Sequence, residues 1–333
     1  MSFFRRKERQ PAEVLRAIRD NLLSEDGGPQ ANPGVSARLD RSLAVLKEML
    51  YGDEAAPDTD LYTELVHQAL QTDVVYLLIS DMASLSFEGR HDAVQCISSL
   101  VRRCKDETRS RRSLTEDYIL NTHPDTLALL VRGYGVPDIG LACGQLIREF
   151  MRHKAILEAF LGSPAFYDLF EFLDCDVFDV TSDAFATFRA ALATHKDVVS
   201  HFLTEQYDDV FGAYAQLVSS QSYATRRLSL KLLSDILLDR ANFAVMTRYI
   251  RSTTNLKLIM ELLRDRSQAI QFEAFHVFKI FVANPRKDPG IVRILTKNKT
   301  KLIAFLTQFQ PEKESEQFAN EKSLLIKEIG GLP

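Results

Sequence analysis

Apolar residues recur at helical spacing along most of the chain. From residue 115 onward they come every three or four positions, in runs separated by short polar breaks, and almost no segment alternates with a period of two. The first spacing marks one face of an α-helix, whereas alternation marks a strand. A further helix is predicted at about 11–23, with loops at 24–36, 52–60 and 105–114. The pattern therefore predicts an all-α protein.

Four helical blocks align loosely with one another and indicate a repeat. Counted between residues 138, 179, 223 and 269, their starts lie 41, 44 and 46 residues apart. A second helical stretch follows each block, at 155–173, 197–218, 241–263 and 289–306. Units of about 40–47 residues are typical of armadillo and HEAT arrays, which stack into a curved superhelix. The sequence thus predicts a single armadillo/HEAT-like helical-repeat domain over 1–333, an α-solenoid, with poorly ordered ends at 1–10 and 311–333.

The composition agrees with a stack of helices. The 333 residues include 14 Gly and 11 Pro, a smaller share than the average of about 12% in globular proteins. A disordered chain or a β-sandwich with frequent turns needs more of both. In the last repeat, four phenylalanines recur every three residues, at Phe272, Phe275, Phe278 and Phe281. We expect that helix to be buried nearly all round.

The sequence carries no recognisable motif for catalysis or metal binding. It lacks the usual phosphate-binding, dinucleotide-binding, nucleophile-elbow, kinase and zinc-protease patterns. A calcium loop starting at Asp174 would need an oxygen ligand at its fifth position and glycine at its sixth, which are Phe178 and Asp179 here. We interpret the stretch as helix N-capping by Asp179 and Ser182. The predictions are therefore no enzymatic activity, no catalytic residue, no bound metal and no cofactor.

The cysteines and the hydropathy predict a cytoplasmic protein. Cys96, Cys104, Cys143 and Cys175 are scattered without a Cys-x-x-Cys pair, as buried, reduced thiols are. No apolar run reaches the length of a membrane span, and no signal peptide is recognisable at the N-terminus.

The formal charge of −4 conceals an asymmetry. Residues 223–301 hold 16 Lys or Arg against six Asp or Glu, which is +10, so the remainder carries about −14. A basic surface of this kind can bind nucleic acid, an anionic membrane or an acidic peptide, or it can be an ordinary solvated face.

Helical spacing places the basic residues in stripes. Lys257, Met260 and Arg264 share one stripe, and Arg227 and Lys231 share another one repeat earlier. Arg240 is followed by Phe243. In a stacked array these faces can converge into a groove with basic walls and an apolar floor. A peptide with aromatic and acidic residues fits such a groove better than nucleic acid, which needs a longer basic track with exposed aromatic residues. Binding of nucleic acid or an anionic surface remains the alternative.

Several long strings of residues resemble one family. They include Glu48–Gly52, Ser182–Phe188, Leu237–Phe243 and Ile270–Lys279. On these strings the sequence resembles the calcium-binding-protein-39 family, whose fungal members include the HymA-type conidiophore-development proteins. The resemblance runs through most of the chain and is weakest at 24–36, 105–113 and after 310.

The resemblance implies a non-catalytic scaffold. Family members are armadillo-like superhelices that bind a sterile-twenty (germinal-centre) kinase or a related pseudokinase on a concave face and hold the kinase active, in signalling for cell polarity and morphogenesis. A C-terminal pocket takes a Trp-Glu-Phe tail of the partner, and no small-molecule substrate is implied. The positions that match the tail pocket are Arg227, Lys231, Lys257, Met260 and Arg264. Those that match the kinase contact are Phe178, Arg240 and Phe243.

Overall fold

The computed structural model describes residues 10–24, 28–51, 59–102, 113–310 and 315–333. They group into two compact units that divide between Thr194 and His195. Within the described ranges every regular element is helical, which confirms the predicted all-α class. Each unit is described below by itself.

Four longer helices pack side by side in the first unit, in the order α3, α6, α9 and α12. The shorter helices flank them and close an apolar core. The twelve helices described in this unit are α1 Pro11–Leu22, α2 Gly28–Ala31, α3 Pro33–Tyr51, α4 Thr59–Gln71, α5 Val74–Ser80, α6 Phe87–Arg102, α7 Leu114–Asp117, α8 Thr126–Gly133, α9 Gly140–Phe150, α10 Lys154–Leu161, α11 Pro164–Leu173 and α12 Phe178–Ala193.

The second unit repeats this plan. Helix α18 packs against both α15 and α21, while α14, α17 and α20 pack against α15, α18 and α21 respectively. A 3₁₀ turn at Arg240–Asn242 joins α15 to α16. The helices described are α13 Lys196–Glu205, α14 Tyr207–Val218, α15 Tyr223–Leu238, α16 Phe243–Tyr249, α17 Thr253–Leu262, α18 Gln268–Ala283, α19 Pro289–Lys297, α20 Lys299–Thr307 and α21 Glu316–Gly330.

The predicted repeat agrees with these helices. The four blocks correspond to α9, α12, α15 and α18, and each of the following stretches is a pair of short helices. Three helices per unit of 40–47 residues is within the armadillo and HEAT class, so the predicted helical-repeat fold is confirmed. The predicted first helix is α1. The loop predicted at 24–36 is partly wrong, because α2 lies within it and α3 begins at Pro33, where proline suits the first turn of a helix. Residues 52–58 and 103–112 lie outside the described residues.

The C-terminal segment differs from the expectation of a poorly ordered end. Helix α21 occupies most of 311–333, and Phe318 and Leu325 on it are buried. The Phe318 ring packs 5.0 Å from the Phe275 ring, and Lys279 Nζ forms an ion pair with Glu321 Oε1 at 2.8 Å. The segment is therefore ordered by its contacts with α18. The expected poor order at 1–10 falls, apart from Gln10, outside the described residues.

The phenylalanine stripe of α18 belongs to the core. Phe275, Phe278 and Phe281 are all buried, and Phe272 is half-buried. Burying one such ring contributes about 1.5–3 kcal/mol relative to exposure. The stripe therefore stabilises the packing of α18 against its neighbours, as the sequence predicted.

A polar network fixes α9 against α12 in the first unit. Arg148 Nη1 and Nη2 each donate to the Asp183 carboxylate at 2.9 Å, and Tyr134 Oη donates to Asp183 Oδ2 at 2.7 Å. Arg148 Nη1 also donates to Thr187 Oγ1 at 2.6 Å. A Cβ on Gly144 would overlap Asp183 Oδ2 and the Tyr134 hydroxyl. Gly144, which has no Cβ, therefore leaves room on α9 for the Asp183 and Tyr134 side chains.

The cysteines are expected to differ in reactivity in the folded protein. Burial raises the pKa of Cys96 and of Cys143 to about 12, whereas the reactive form is the thiolate. Cys175 is half-buried. With Cys104, which lies outside the described residues, replaced by serine, iodoacetamide should modify Cys175 and spare the other two, as read by peptide mass spectrometry. Modification of Cys96 or Cys143 as fast as Cys175 would contradict the packing.

Candidate functional site

Of the five residues predicted for a partner's tail, Arg227 and Lys231 lie on α15, Lys257 and Met260 lie on α17, and Arg264 lies in the turn that follows α17. Both helices pack against α18. Each begins at a serine cap: Ser222 Oγ accepts from Thr225 N at 3.3 Å, and Ser252 Oγ accepts from Asn255 N at 3.2 Å. The Arg226 guanidinium lies 3.7 Å from Asp265 Oδ2. This ion pair brings the first turn of α15 beside the turn that ends α17.

The five residues predicted to bind the partner's tail lie outside the apolar core. Arg227, Lys231, Lys257 and Arg264 are exposed and Met260 is half-buried. On α17 the predicted core stripe of Leu256, Ile259 and Leu263 is fully or almost fully buried. Arg227 directly follows Arg226, and Arg264 directly precedes Asp265, so the Arg226–Asp265 pair brings one end of each stripe close together. We call the surface formed by Arg227, Lys231, Lys257, Met260 and Arg264 the tail surface.

The cations of the tail surface have no acidic partner in the described part of the chain. No side chain described forms an ion pair or hydrogen bond with Arg227, Lys231, Lys257 or Arg264. Other cations of the same basic region are neutralised, several by acids from outside 223–301. The pairs are Arg248–Asp208, Lys279–Glu321, Lys287–Glu328 and Arg226–Asp265. The tail surface therefore keeps positive charge available for an anionic group.

Arg240, predicted for the kinase contact, begins the 3₁₀ turn after α15, and Phe243, predicted for the same contact, directly follows the turn. Phe243 is 67% exposed, and Leu238, the last residue of α15, which the sequence did not single out, is 57% exposed. Arg240 is exposed, with no ion pair to any described residue. An arginine between two exposed apolar side chains suits a partner that offers both a carboxylate and apolar groups. We call Leu238, Arg240 and Phe243 the turn surface.

Polar contacts hold the turn surface in place. Asp239 Oδ1 accepts from Ala241 N at 3.0 Å, and Asp239 Oδ2 lies 2.7 Å from Lys196 Nζ. Ser200 Oγ donates to Ala241 O at 2.6 Å, and the buried Asn242 donates to Ile236 O at 3.0 Å. Helix α13 therefore fixes the turn that presents Arg240. The sequence carries no signal for the contacts of Lys196 and Ser200, because they join residues about 40 positions apart.

Replacing Lys196 by methionine is expected to raise the pKa of Asp239. In the native protein the hydrogen bonds from Lys196 and from the Ala241 N–H hold the pKa of that carboxyl below the ordinary value of 3.8. A carboxyl with a lowered pKa stabilises the fold at neutral pH, and this stability is lost as the pH falls from the ordinary value through the lowered one. As the pH falls through this range, the stability of the variant should therefore decrease less than that of the wild type. Carboxyl NMR titration measures the shift, and an unchanged Asp239 pKa would contradict the contact.

Phe178, the third residue predicted for the kinase contact, lies in the first unit. It is the first residue of α12 and is 66% exposed, and its neighbour Val177 is also exposed. An exposed aromatic side chain at a helix start is available for a partner. Phe178 thus resembles Phe243 in exposure and in its place at the start of a helix.

The acidic stretch at 174–183 does not form the predicted N-cap. The N-cap of α12 is Val177, with no side-chain hydrogen bond, and Asp179 lies in the first turn of the helix. Asp183 instead pairs with Arg148. Among the described residues, no group of three or more His, Cys, Asp or Glu side chains is placed to hold a metal ion.

Comparison with known proteins gives the family. A family model described as Mo25-like matches residues 2–333. The chain belongs to the Mo25-like family. The Mo25-like family is a family of scaffold proteins. The match confirms the family resemblance from which the candidate site residues were assigned. Within the described residues, no helix is long and apolar enough to cross a membrane.

Three relatives cover nearly the whole chain. "Calcium-binding protein 39-like" of Homo sapiens is 43% identical, over 100% of this chain and 98% of its own. "Mo25-like protein" of Schizosaccharomyces pombe is 40% identical, over 99% of each. "Conidiophore development protein hymA" of Emericella nidulans is 37% identical, over 100% of this chain and 94% of its own. None of these three names denotes an enzymatic activity.

Among solved structures, the chain is similar to a designed armadillo repeat protein in complex with the peptide (KR)4. The TM-score is 0.47 at 12% identity, over 82% of this chain and 100% of that one.

Proposed function

We propose that this protein is a non-catalytic cytoplasmic scaffold that binds a kinase or pseudokinase of the sterile-twenty (germinal-centre) class and holds the kinase active. The observation that carries the proposal is the tail surface, which combines a half-buried methionine with four exposed cations that have no acidic partner among the described residues. Membership of a scaffold family supports the same function. The biological role proposed is signalling for cell polarity and morphogenesis.

The tail surface suits a partner tail that ends in Trp-Glu-Phe. Methionine is flexible and polarizable and makes favourable contacts with aromatic rings, so Met260 would pack against the Trp or Phe. The Glu and the terminal carboxylate would pair with Lys257 and Arg227, which form no ion pair with any residue that the structure describes. Two anionic groups and two rings in a short tail therefore match the chemistry of this surface.

Docking of the tail would promote a second contact with the kinase. A tethered kinase domain meets the rest of the scaffold at a raised effective concentration. The turn surface and Phe178 would then bind the active conformation more tightly than the inactive one. That difference in affinity shifts a pre-existing equilibrium of the kinase. The scaffold itself carries out no bond-making step in this proposal.

Affinity purification tests the partner and both contacts together. Tagged wild-type protein and the variants Met260→Ala and Arg240→Ala would be used to capture kinases from an extract of the source cells, with mass spectrometry of the bound proteins. We expect one sterile-twenty-class kinase or pseudokinase with the wild type and its loss with each variant. Retention of that kinase by both correctly folded variants would contradict the proposed sites.

A further inference from the structure

A second basic surface lies on α19, and none of the tail-surface residues lines it. It is a groove of about 670 Å³ lined by Lys287, Pro289, Val292, Arg293, Thr296, Lys297 and Pro333. Arg293 and Lys297 are four residues apart and so lie on the same side of the helix. Both are exposed. The proline and valine side chains give the groove an apolar part beside this cationic edge.

The cationic edge of the groove has no paired acidic side chain among the described residues. Asp288 caps α19 by accepting from Gly290 N, and no acidic residue occurs between 289 and 310. Two nearby cations are engaged: Lys287 Nζ donates to Asn284 O at 2.9 Å and lies 3.8 Å from Glu328, and Lys299 Nζ donates to Leu332 O at 2.6 Å. Arg293 and Lys297 have no hydrogen-bonded or ion-paired side chain in the described part of the chain. Within that part of the chain, the groove therefore presents two unpaired cationic side chains one helical turn apart.

We propose that this groove binds an extended acidic segment of a partner protein, with carboxylates at alternate positions and apolar residues between them. Alternate residues of an extended chain lie about 6.6–6.8 Å apart, close to the spacing of about 5–6 Å between side chains one helical turn apart. The carboxylates would pair with Arg293 and Lys297, and the apolar residues would pack on Pro289 and Val292. The inference does not depend on the proposed kinase scaffold.

The same surface is poorly suited to membranes or nucleic acid. Binding at a membrane interface uses large apolar side chains that insert beside the cations. Unpaired bases stack on exposed aromatic rings. Between 284 and 310, all of which is described, no large apolar or aromatic side chain is highly exposed. An acidic peptide needs only the cations and the modest apolar floor that this groove offers.

The test is a titration with a fluorescein-labelled peptide, Gly-Glu-Leu-Glu-Leu-Glu-Gly. One control peptide has Gln in place of Glu, and another has Ser in place of Leu. The groove variant is Arg293→Glu with Lys297→Glu. The matched control is Arg16→Glu with Arg19→Glu, an equal change of charge at two exposed positions on α1. Circular dichroism melting shows that each variant is folded.

We expect saturable binding to the wild type and about tenfold weaker binding to the groove variant, since two surface ion pairs are replaced by like-charge repulsion. The α1 variant should keep wild-type affinity. The Gln peptide should not bind, and the Ser peptide should bind more weakly. Wild-type affinity in the groove variant, equal losses in the groove and α1 variants, or no binding to the wild type would overturn the proposal. Tighter binding of oligo(dT) or of phosphatidylserine vesicles would overturn it in favour of another anion.

Discussion

Replacing Met260 by glutamate is expected to weaken binding of a peptide ending in Trp-Glu-Phe by about a hundredfold, because a central apolar anchor is lost and a charge repels the peptide carboxylates. Met260 is half-buried on α17, between Lys257 and the end of the helix. Its neighbours Ile259 and Leu263 hold the helix in the core. The substitution therefore changes the tail surface without removing a core side chain.

Fluorescence measures this binding directly. The chain contains no tryptophan, so the tryptophan of the peptide is the only indole in the sample. Leu324→Glu is the matched control, since Leu324 is an exposed apolar residue on α21 of the same unit. It should leave the affinity unchanged. If folded Met260→Glu binds the peptide with wild-type affinity, the tail-binding site does not include Met260.

Replacing Asp183 by alanine is expected to lower the free energy of unfolding by about 2–4 kcal/mol. The substitution leaves the partly buried Arg148 guanidinium without its carboxylate partner and removes the acceptor of the Tyr134 hydroxyl. The loss falls on the packing of α9 against α12, which carry the apolar core of the first unit. Chemical denaturation followed by circular dichroism measures the change.

Two controls separate the network from the loss of a surface charge. Asp179→Ala removes an exposed carboxylate from the same helix and should change stability by less than about 1 kcal/mol. The double variant Arg148→Met with Asp183→Leu removes both charges and should recover part of the loss, since paired charges replaced by apolar groups are often tolerated. Equal stability of Asp183→Ala and the wild type would show that the network is not stabilising.

The helices could be predicted from the sequence because their cause is local. Apolar periodicity and a repeat of 41–46 residues fixed α9, α12, α15 and α18 to within about two residues at each start. Helix α21 was missed because its order depends on contacts between Phe318 and the rings of Phe275 and Phe309. The N-cap of α12 was misread because the helix begins at Phe178, which places Asp179 inside its first turn.

The candidate site likewise has features that the sequence alone predicts and features that only the packed structure shows. Spacing on single helices was enough to group Lys257 with Met260 and Arg264, and Arg227 with Lys231, and the resemblance assigned both groups to a tail pocket. The ion pair of Arg226 with Asp265, which lies between the ends of the two stripes, joins residues 39 positions apart and has no local signal. The same holds for the support of the turn surface by Lys196 and Ser200. The groove on α19 was also not visible as a unit, since only the packed structure shows which cations are already engaged.

A reconstituted phosphotransfer assay tests the central claim most directly. A purified sterile-twenty-class kinase captured by this protein would be assayed against increasing amounts of the wild type and of Arg240→Ala with Phe243→Ala. The account predicts a saturable rise in kinase activity with the wild type and none with the double variant, although both bind the Trp-Glu-Phe peptide equally. Kinase activity that stays flat with wild-type protein, while the tail is bound, would contradict the proposed scaffold function.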